Sequence, residues 1–395
     1  MKRFFSYIIL SFFLLLLPTG QASANNNDSI RLSLLTCAPG EEIYSLFGHT
    51  AIRYENPSQG IDVVFNYGLF SFNTPNFIFR FSLGETDYQL GATDYERFAA
   101  EYAFFGRSVW QQTLNLTDEE KTELIRLLQE NYRPENRVYR YNFFYDNCAT
   151  RPRDKIEESI AGKVIYPAEP QDGSLTFRDI VHQYCKGHPW ARFGIDLCIG
   201  SEADQPITQR QMMFAPFYLM DAFDGAQIKS DSIQRPLITA NELVVDATPE
   251  PDESGWMPTP LQCTLLLFIL TTAATIYGIR RRTGLWGIDL FLFGIAGIVG
   301  CVLAFLALFS QHPAVNSNFL LLVFHPGQLL FLPYIIYCVR KGKKCWYLTL
   351  NLAVLTLFIV LFPVIPQRFD FAVVPLALCL LIRSVSNLIV TSKKK

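Results

Sequence analysis

Charged residues are scarce in this sequence, and acidic residues almost vanish from its last third. Charged side chains make up 18% of the 395 residues, while hydrophobic side chains make up 50%. From residue 260 onward there are two acids, Asp289 and Asp370, against twelve Lys and Arg. The part before residue 260 holds the other 34 acidic and 22 basic residues. No basic patch of the kind that binds nucleic acid is present, which excludes that class of partner.

The sequence also lacks the signatures of several catalytic classes. It contains no glycine-rich phosphate loop and no Gly-x-Ser-x-Gly elbow. His182 and His188 flank Cys185, but no further ligands accompany them, so we expect no zinc site. We therefore expect neither a metal nor another cofactor, and the cysteines become the side chains to examine.

The N-terminal residues are typical of a secretory signal peptide. A basic start at Lys2 and Arg3 precedes a short apolar run, which ends in the small-x-small stretch at 22–24. We expect residues 1–24 to be removed by cleavage after Ala24. The mature chain then enters an oxidising compartment, which we take to be the periplasm.

The remaining chain divides into a soluble part and a membrane part. Residues 25–246 are predicted to form a soluble domain, and the Pro-rich residues 247–260 to form a linker that ends at a membrane surface. Residues 261–391 are predicted to form an all-α transmembrane domain. Its five apolar stretches are each long enough to span a bilayer, at about 261–279, 286–309, 318–339, 346–366 and 371–390.

Basic residues between these stretches indicate their orientation. Clusters of Arg and Lys follow the first stretch at 280–282, the third at 340–344 and the fifth at 393–395. The two other loops hold one basic residue between them. Because positive loops stay on the cytoplasmic side, the soluble domain should face the periplasm. This predicts a multi-pass inner-membrane protein with a cytoplasmic C-terminus.

Local patterns predict several elements in the soluble part. Residues 29–37 form a strand candidate, and "HTAIRYE", "NPSQG" and "IDVVFNYGLF" together favour a β-hairpin. Residues 117–132 are predicted to form an amphipathic helix, with Thr117 and Glu120 as its capping box. A further helix is predicted to begin at Cys148.

Cys148 is the first candidate for a reactive residue. A lone cysteine in a protein core is usually inert packing. This one follows the polar turn "YDN" and opens a helix, where free N–H groups and the helix dipole favour a thiolate. Cys185 and Cys198 flank a loop that contains Gly and Pro, which suits a structural disulfide. A disulfide between Cys37 and Cys148 remains an open alternative to catalysis.

His49 is the candidate base for this thiol. A single histidine in a strand is more often an ordinary half-buried residue, but Gly48 before it permits close approach of backbone or substrate. A cysteine nucleophile needs a base, and the base needs a third group that holds its tautomer. The predicted hairpin puts Asn66 almost opposite His49, or Tyr67 if the register slips by one residue. We therefore expect Cys148, His49 and Asn66 to form the catalytic set.

Three motifs resemble those of a known family, the Lnb N-terminal periplasmic domain family. They are "LLTCAPGEEIYSLFGHTAIRY", "FNYGLFSF" and "YNFFYDNCATRPRD". The resemblance implies an α+β, circularly permuted papain-like domain related to the NlpC peptidases, in which His49 precedes Cys148 in the chain. It also implies a lipoprotein N-acyltransferase, with a phospholipid as acyl donor and a diacylated lipoprotein as acceptor. By resemblance, His49 and Cys148 carry the catalytic pair.

Other residues and functions remain open from the sequence. The sequence allows two roles for Arg151 and Arg153, which are binding a phosphate head group and forming ordinary surface ion pairs. It also allows two roles for Tyr44, which are donating a hydrogen bond to an oxyanion and packing in the core. A cysteine peptidase or amidase that acts on cell-wall peptides would use the same Cys–His pair. A membrane protein without enzymatic activity, with Cys37 and Cys148 as a disulfide, is the third alternative.

Overall fold

A computed structural model of the chain describes residues 30–73, 75–167, 175–230, 234–247 and 256–392. The expected signal peptide at 1–24 lies outside these residues, as does most of the expected linker, at 248–255.

The N-terminal part is built on a seven-stranded antiparallel sheet with a smaller three-stranded sheet beside it. The large sheet has the order β10-β5-β1-β2-β3-β4-β6, and the small one has the order β7-β8-β9. The strands are β1 Arg31–Cys37, β2 His49–Asn56, β3 Ile61–Leu69, β4 Asp87–Asp94, β5 Val109–Leu114, β6 Val138–Arg140, β7 Lys163–Ile165, β8 Gln227–Lys229, β9 Gln234–Pro236 and β10 Ile238–Val245. The predicted hairpin is confirmed as β2 and β3, which are joined by the 3-10 turn Pro57–Gln59.

Eight described helices accompany these sheets. They are α1 Phe77–Leu83, α2 Tyr95–Phe104, α3 Asp118–Tyr132, α4 Thr150–Ser159, α5 Phe177–Tyr184, α6 Pro189–Cys198, α7 Gln209–Met212 and α8 Pro216–Asp224. The predicted capping box on α3 is confirmed, since Thr117 and Glu120 exchange both of its hydrogen bonds. This part of the chain is therefore a mixed α and β domain.

The main core lies between one face of the large sheet and three of the helices. Leu34 and Ile52 of the sheet pack in one buried cluster with Leu124 of α3, Ile156 of α4 and Phe223 of α8. Each such side chain contributes about 1.5–3 kcal/mol when it is buried. This packing fixes α4, and with it the turn that carries Cys148, against the sheet that carries His49.

The C-terminal part is helical. Its helices are α9 Pro260–Arg281, α10 Trp286–Phe309, α11 Gly327–Leu330, α12 Leu332–Lys341, α13 Trp346–Leu361 and α14 Val373–Ser392. Of the described helices, α9, α10 and α14 are long and apolar enough to cross a membrane. The segments Phe319–Leu330 and Leu332–Lys341 give a fourth crossing if they count as one broken span.

The count of five spans is therefore not confirmed by helix length. Helix α13 has 16 residues, fewer than the roughly 20 that a straight crossing needs. The third predicted stretch, 318–339, is bent by 73° between its two halves. Pro326 and Pro333 lie at the starts of α11 and α12. Because proline donates no backbone hydrogen bond, it interrupts the helical ladder at these points.

The two parts of the chain are joined by polar contacts. Arg368, in the loop before α14, forms ion pairs with Asp179 (2.6 Å) and Asp204 (2.9 Å). Asn318, in the loop after α10, donates from its side chain to the carbonyl oxygen of Leu197 at 2.7 Å. These contacts hold the N-terminal part on one end of the helical part.

Candidate active site

Cys148 lies in a turn that Asn147 caps. Helix α4 begins at Thr150, two residues after Cys148, and the side-chain oxygen of Asn147 accepts from the N–H groups of Ala149 (2.8 Å) and Thr150 (3.0 Å). The Asn147 carbonyl oxygen accepts from the N–H of Arg151 at 3.2 Å. Asn147 thus acts as the N-cap, and Cys148 occupies the first turn. The sequence analysis predicted that a helix begins at Cys148, but it did not identify Asn147 as the cap.

Asn147 also fixes the loop from its other side. The side chain is 3% exposed, and its amide donates to the carbonyl oxygens of Phe143 (2.8 Å) and Phe214 (2.9 Å). A polar side chain that is this deeply buried needs such partners. The position of Cys148 is therefore set by a satisfied hydrogen-bond network.

His49 is the first residue of β2, and Gly48 allows the chain to enter the strand there. Gly48 has a φ of +78°, and a Cβ at this position would lie 2.5 Å from the carbonyl oxygen of Cys37. Only glycine accepts both the backbone angle and the contact. The group that closely approaches Gly48, as expected for a glycine, is thus the backbone carbonyl of Cys37.

Asn66 does bond to His49, although the predicted register is wrong. Asn66 pairs with Ala51 instead of lying opposite His49, because the hairpin closes with Asn56 opposite Ile61. The strand period is two residues, so Asn66 and His49 still share one face of the sheet, on a diagonal. The His49 Nε2–H donates to Asn66 Oδ1 at 3.1 Å. This bond leaves Nδ1 as the unprotonated nitrogen, which is the one able to accept a proton.

The thiol of Cys148 lies beside this end of β2. The backbone N–H groups of Thr50, the neighbour of His49, and of Cys148 itself donate towards its sulfur. On the adjacent strand, a Cβ at Gly68 would lie 3.6 Å from Cys148 Cβ. The hydrogen bonds of the described residues include none between the thiol and the imidazole. The structure thus brings Cys148, His49 and Asn66 into one neighbourhood, with Thr50 as the link.

Burial makes both members of the pair neutral at rest. Burial raises the pKa of the Cys148 thiol to about 11, against the lowering effect of the two N–H groups. Burial likewise lowers the pKa of the His49 imidazole to about 4; the hydrogen bond with Asn66 raises this pKa, and the charge of Arg107 lowers it. The sequence-based expectation of a thiolate is therefore wrong, because desolvation outweighs the helix N-terminus.

A buried hydroxyl that the sequence did not single out lies at the same place. Tyr139 is 7% exposed, and its hydroxyl has no hydrogen-bond partner among the described residues. The Cβ position at Gly68 is 3.9 Å from this oxygen and 3.6 Å from Cys148 Cβ. An unpaired buried donor of this kind needs an explanation. A negatively charged oxygen that forms next to the thiol would accept a hydrogen bond from the Tyr139 hydroxyl.

Of the three remaining predicted site residues, Arg151 contacts this cluster of groups, since its guanidinium lies 3.5 Å above the centroid of the Tyr139 ring. Tyr44 is 61% exposed, so it does not pack in the core. Arg151 forms a bidentate ion pair with Asp146. Arg153 is buried and binds Asp154 and the carbonyl oxygen of Arg210. Both arginines therefore already bond to groups within the protein.

All nine cysteines are free, which contradicts the expected disulfide between Cys185 and Cys198. The reason lies in the packing of α5 against α6. Arg178, near the start of α5, donates to the carbonyl oxygen of Ile199 just after α6, and His182, further along α5, bonds to Asp196 of α6 at 2.9 Å, so the two helices run antiparallel. Cys185 lies beyond this contact at one end, and Cys198 lies beyond it at the other. Cys37 is also free and buried, so it does not block Cys148.

Comparison with protein families gives two matches to this chain. The model of the Lnb N-terminal periplasmic domain matches residues 20–182, and the model of the Lnb transmembrane domain matches residues 252–395. The first range includes His49, Asn66 and Cys148. No curated protein and no solved structure matched the chain.

Proposed function

The chain belongs to the Lnb family of lipoprotein N-acyltransferase-type membrane proteins, and we propose that it transfers an acyl chain through a thioester on Cys148. The donor is a membrane phospholipid, and the acceptor is the α-amino group of the N-terminal cysteine of a diacylated lipoprotein. The family membership supports an acyltransferase with a periplasmic N-terminal domain on a transmembrane domain. The chemistry assigned to Cys148 and His49 is supported by their geometry.

The first half-reaction forms the thioester. The Cys148 sulfur attacks the carbonyl carbon of a phospholipid ester, while its proton passes to His49 Nδ1. The N–H of Cys148 and the Tyr139 hydroxyl hold the resulting oxyanion. The C–O bond of the ester then breaks, and the leaving alkoxide takes the proton from the imidazolium to give a lysophospholipid. Asn66 keeps the imidazole in the required tautomer throughout.

The second half-reaction consumes the thioester. The neutral α-amine of the lipoprotein attacks the thioester carbonyl, and His49 accepts a proton from the nitrogen. The C–S bond breaks as an amide forms, and the proton returns to the sulfur. Cys148 is thereby restored as a thiol. No oxidant, reductant or cofactor takes part in either half.

Because both groups are neutral at rest, His49 acts as a general base during attack. A pair with a thiol pKa near 11 and an imidazole pKa near 4 holds very little preformed thiolate at neutral pH. The proton therefore moves together with the attack on the ester. Such a site stays unreactive towards small electrophiles until a substrate carbonyl is aligned with the sulfur.

The position at the membrane fits this pair of substrates, since both are anchored in lipid. We propose the domain bounds 1–24 for the signal peptide, 25–246 for a circularly permuted papain-like periplasmic domain, 247–260 for the linker and 261–391 for a five-span domain. The inner membrane holds the spans, and the C-terminus is cytoplasmic. The contacts of Arg368 with Asp179 and Asp204 support a catalytic domain that is docked rather than tethered.

The observation that carries the proposal is the Cys148 thiol beside β2, whose first residue, His49, is oriented by Asn66. In cells that depend on this enzyme, Cys148→Ala should leave lipoproteins diacylated, as measured by mass spectrometry of their N-terminal peptides. Cys198→Ala is the matched control, because Cys198 is also a partly buried, free cysteine. Normal triacylated peptides with Cys148→Ala would refute the proposal. Cleavage of labelled muropeptides without lipid would favour the peptidase instead.

A further inference from the structure

Helix α1 presents an unusually apolar surface. Its sequence is FIFRFSL, and Ile78, Phe79 and Phe81 are 81%, 59% and 45% exposed. The single charge, Arg80, is turned away to Asp87 at 2.6 Å and to the carbonyl oxygen of Glu85. A soluble domain rarely leaves several large apolar side chains together in water, so this surface calls for an apolar partner.

The surface continues directly into the transmembrane domain. The ring of Phe79 lies 6.0 Å from that of Phe305 in α10. The N–H of Gln311, just after α10, donates to the carbonyl oxygen of Leu83 at 2.8 Å. Helix α1 is thus fixed at the periplasmic end of a membrane-spanning helix.

An open cavity lies on the surface where α1 meets α10. Its volume is about 720 Å³, and its lining includes Phe72, Ile78, Phe79 and Phe305. Most of this lining is apolar, and the size falls within the roughly 300–1,000 Å³ of ligand pockets. The open side and the membrane helix in its wall give lipid direct access.

A row of aromatic rings leads from this cavity to the thiol. Phe77 of α1 stacks on Phe70 at 5.7 Å between ring centroids, and Phe70 packs on Tyr88 at 5.1 Å. Tyr88 stacks on Tyr141 at 4.2 Å. Tyr141 in turn lies 4.0 Å from the Cβ position at Gly68, the residue beside Cys148. The row therefore connects the membrane side of the molecule with the candidate nucleophile.

We propose that the cavity between α1 and α10, with the aromatic row that follows it, binds the acyl chain of the donor glycerophospholipid. The chain enters from the periplasmic leaflet between α1 and α10, and its ester end reaches Cys148. Tyr44 borders the route, since its ring packs edge-on against Phe70 and Phe72. This inference rests on the proposed function, because it names the path of that reaction's donor.

The test uses photolabelling of the full-length protein. Cys148→Ala protein in phosphatidylethanolamine vesicles is irradiated with a phosphatidylethanolamine that carries a diazirine in one acyl chain, and the labelled peptides are mapped. We expect label within residues 70–83 and on Phe305. Ile78→Glu in the same background should lower that label about tenfold, since it replaces an apolar contact of the chain with a charge. Ile165→Glu, at an exposed isoleucine of β7, should leave it unchanged.

The outcomes separate this inference from the proposed function. Label confined to other faces of the transmembrane helices, or unchanged by Ile78→Glu, would overturn the binding site, even if unmodified protein forms a thioester on Cys148. Labelling by a diazirine diacyl lipopeptide in place of the phospholipid would assign the cavity to the acceptor and also overturn it. Label at 70–83 without any thioester would retain the lipid site and refute the proposed chemistry.

Discussion

The cap formed by Asn147 gives the sharpest test of how Cys148 is positioned. Asn147→Ala removes the acceptor for the N–H groups of Ala149 and Thr150. It also removes the donor for the carbonyl oxygens of Phe143 and Phe214. The loop that carries the thiol thereby loses its attachment to α4 and to the segment before α8.

The expected loss in the free energy of unfolding follows from these four hydrogen bonds. Loss of the cap costs about 1 kcal/mol, and each carbonyl left without a donor adds about 1–3 kcal/mol. We therefore expect Asn147→Ala to lower the free energy of unfolding by at least about 3 kcal/mol, which lowers the Tm by about 6–12 °C. Asn147→Ser keeps an acceptor for the cap and should recover about 1 kcal/mol. Scanning fluorimetry of the full-length chain in detergent measures both variants.

A neighbouring asparagine provides the control. Asn142 lies in the same loop, but among the described residues its side chain makes one exposed hydrogen bond, which it accepts from the N–H of Tyr145 at 3.1 Å. Asn142→Ala should therefore cost no more than about 1 kcal/mol. Equal Tm values for Asn147→Ala and Asn142→Ala would refute the view that Asn147 holds the nucleophile's turn.

Three further predictions concern the base, its titration and the docking of the domain. Asn66→Ala should slow thioester formation about fivefold in single-turnover assays, because the hydrogen bond that orients His49 contributes about 1 kcal/mol. The rate of lysophospholipid release should be flat from pH 5 to 8 and fall only towards pH 4, because the His49 pKa is about 4 and only the neutral imidazole accepts a proton; a midpoint near pH 6.5 would contradict this. Arg368→Ala should destabilise the chain by about 1 kcal/mol, seen as a lower Tm, because the half-exposed Arg368 loses its ion pairs with Asp179 and Asp204, while Asp204 keeps its ion pair with Arg178; an unchanged Tm would show that the docking contact is unimportant.

Much of the local structure could be predicted from the sequence. The β2–β3 hairpin and helix α3 depend on turn residues, alternation and a capping box, all of which are local signals. The pairing of Asn66 with Ala51 was not predicted, because the closing geometry of a hairpin turn fixes the register. A shift of two residues keeps each side chain on its face, which explains why the bond between His49 and Asn66 still forms.

The features that the sequence did not predict depend on tertiary packing. A thiolate at Cys148 was expected from its place at a helix start, but burial by distant segments decides the pKa. The hydroxyl of Tyr139 reaches the site from β6, and no local pattern marks it. The separation of Cys185 and Cys198 likewise follows from the antiparallel packing of two helices.

The central claim, a thioester on Cys148, is tested most directly by the intact mass of the full-length protein after brief incubation with phosphatidylethanolamine vesicles and no acceptor. We predict a mass increase of one acyl chain, which neutral hydroxylamine removes. The increase should occur in unmodified protein and in Cys198→Ala, and it should be absent in Cys148→Ala. An acyl adduct that persists in Cys148→Ala, or its absence from unmodified protein that still acylates lipoproteins, would contradict the account.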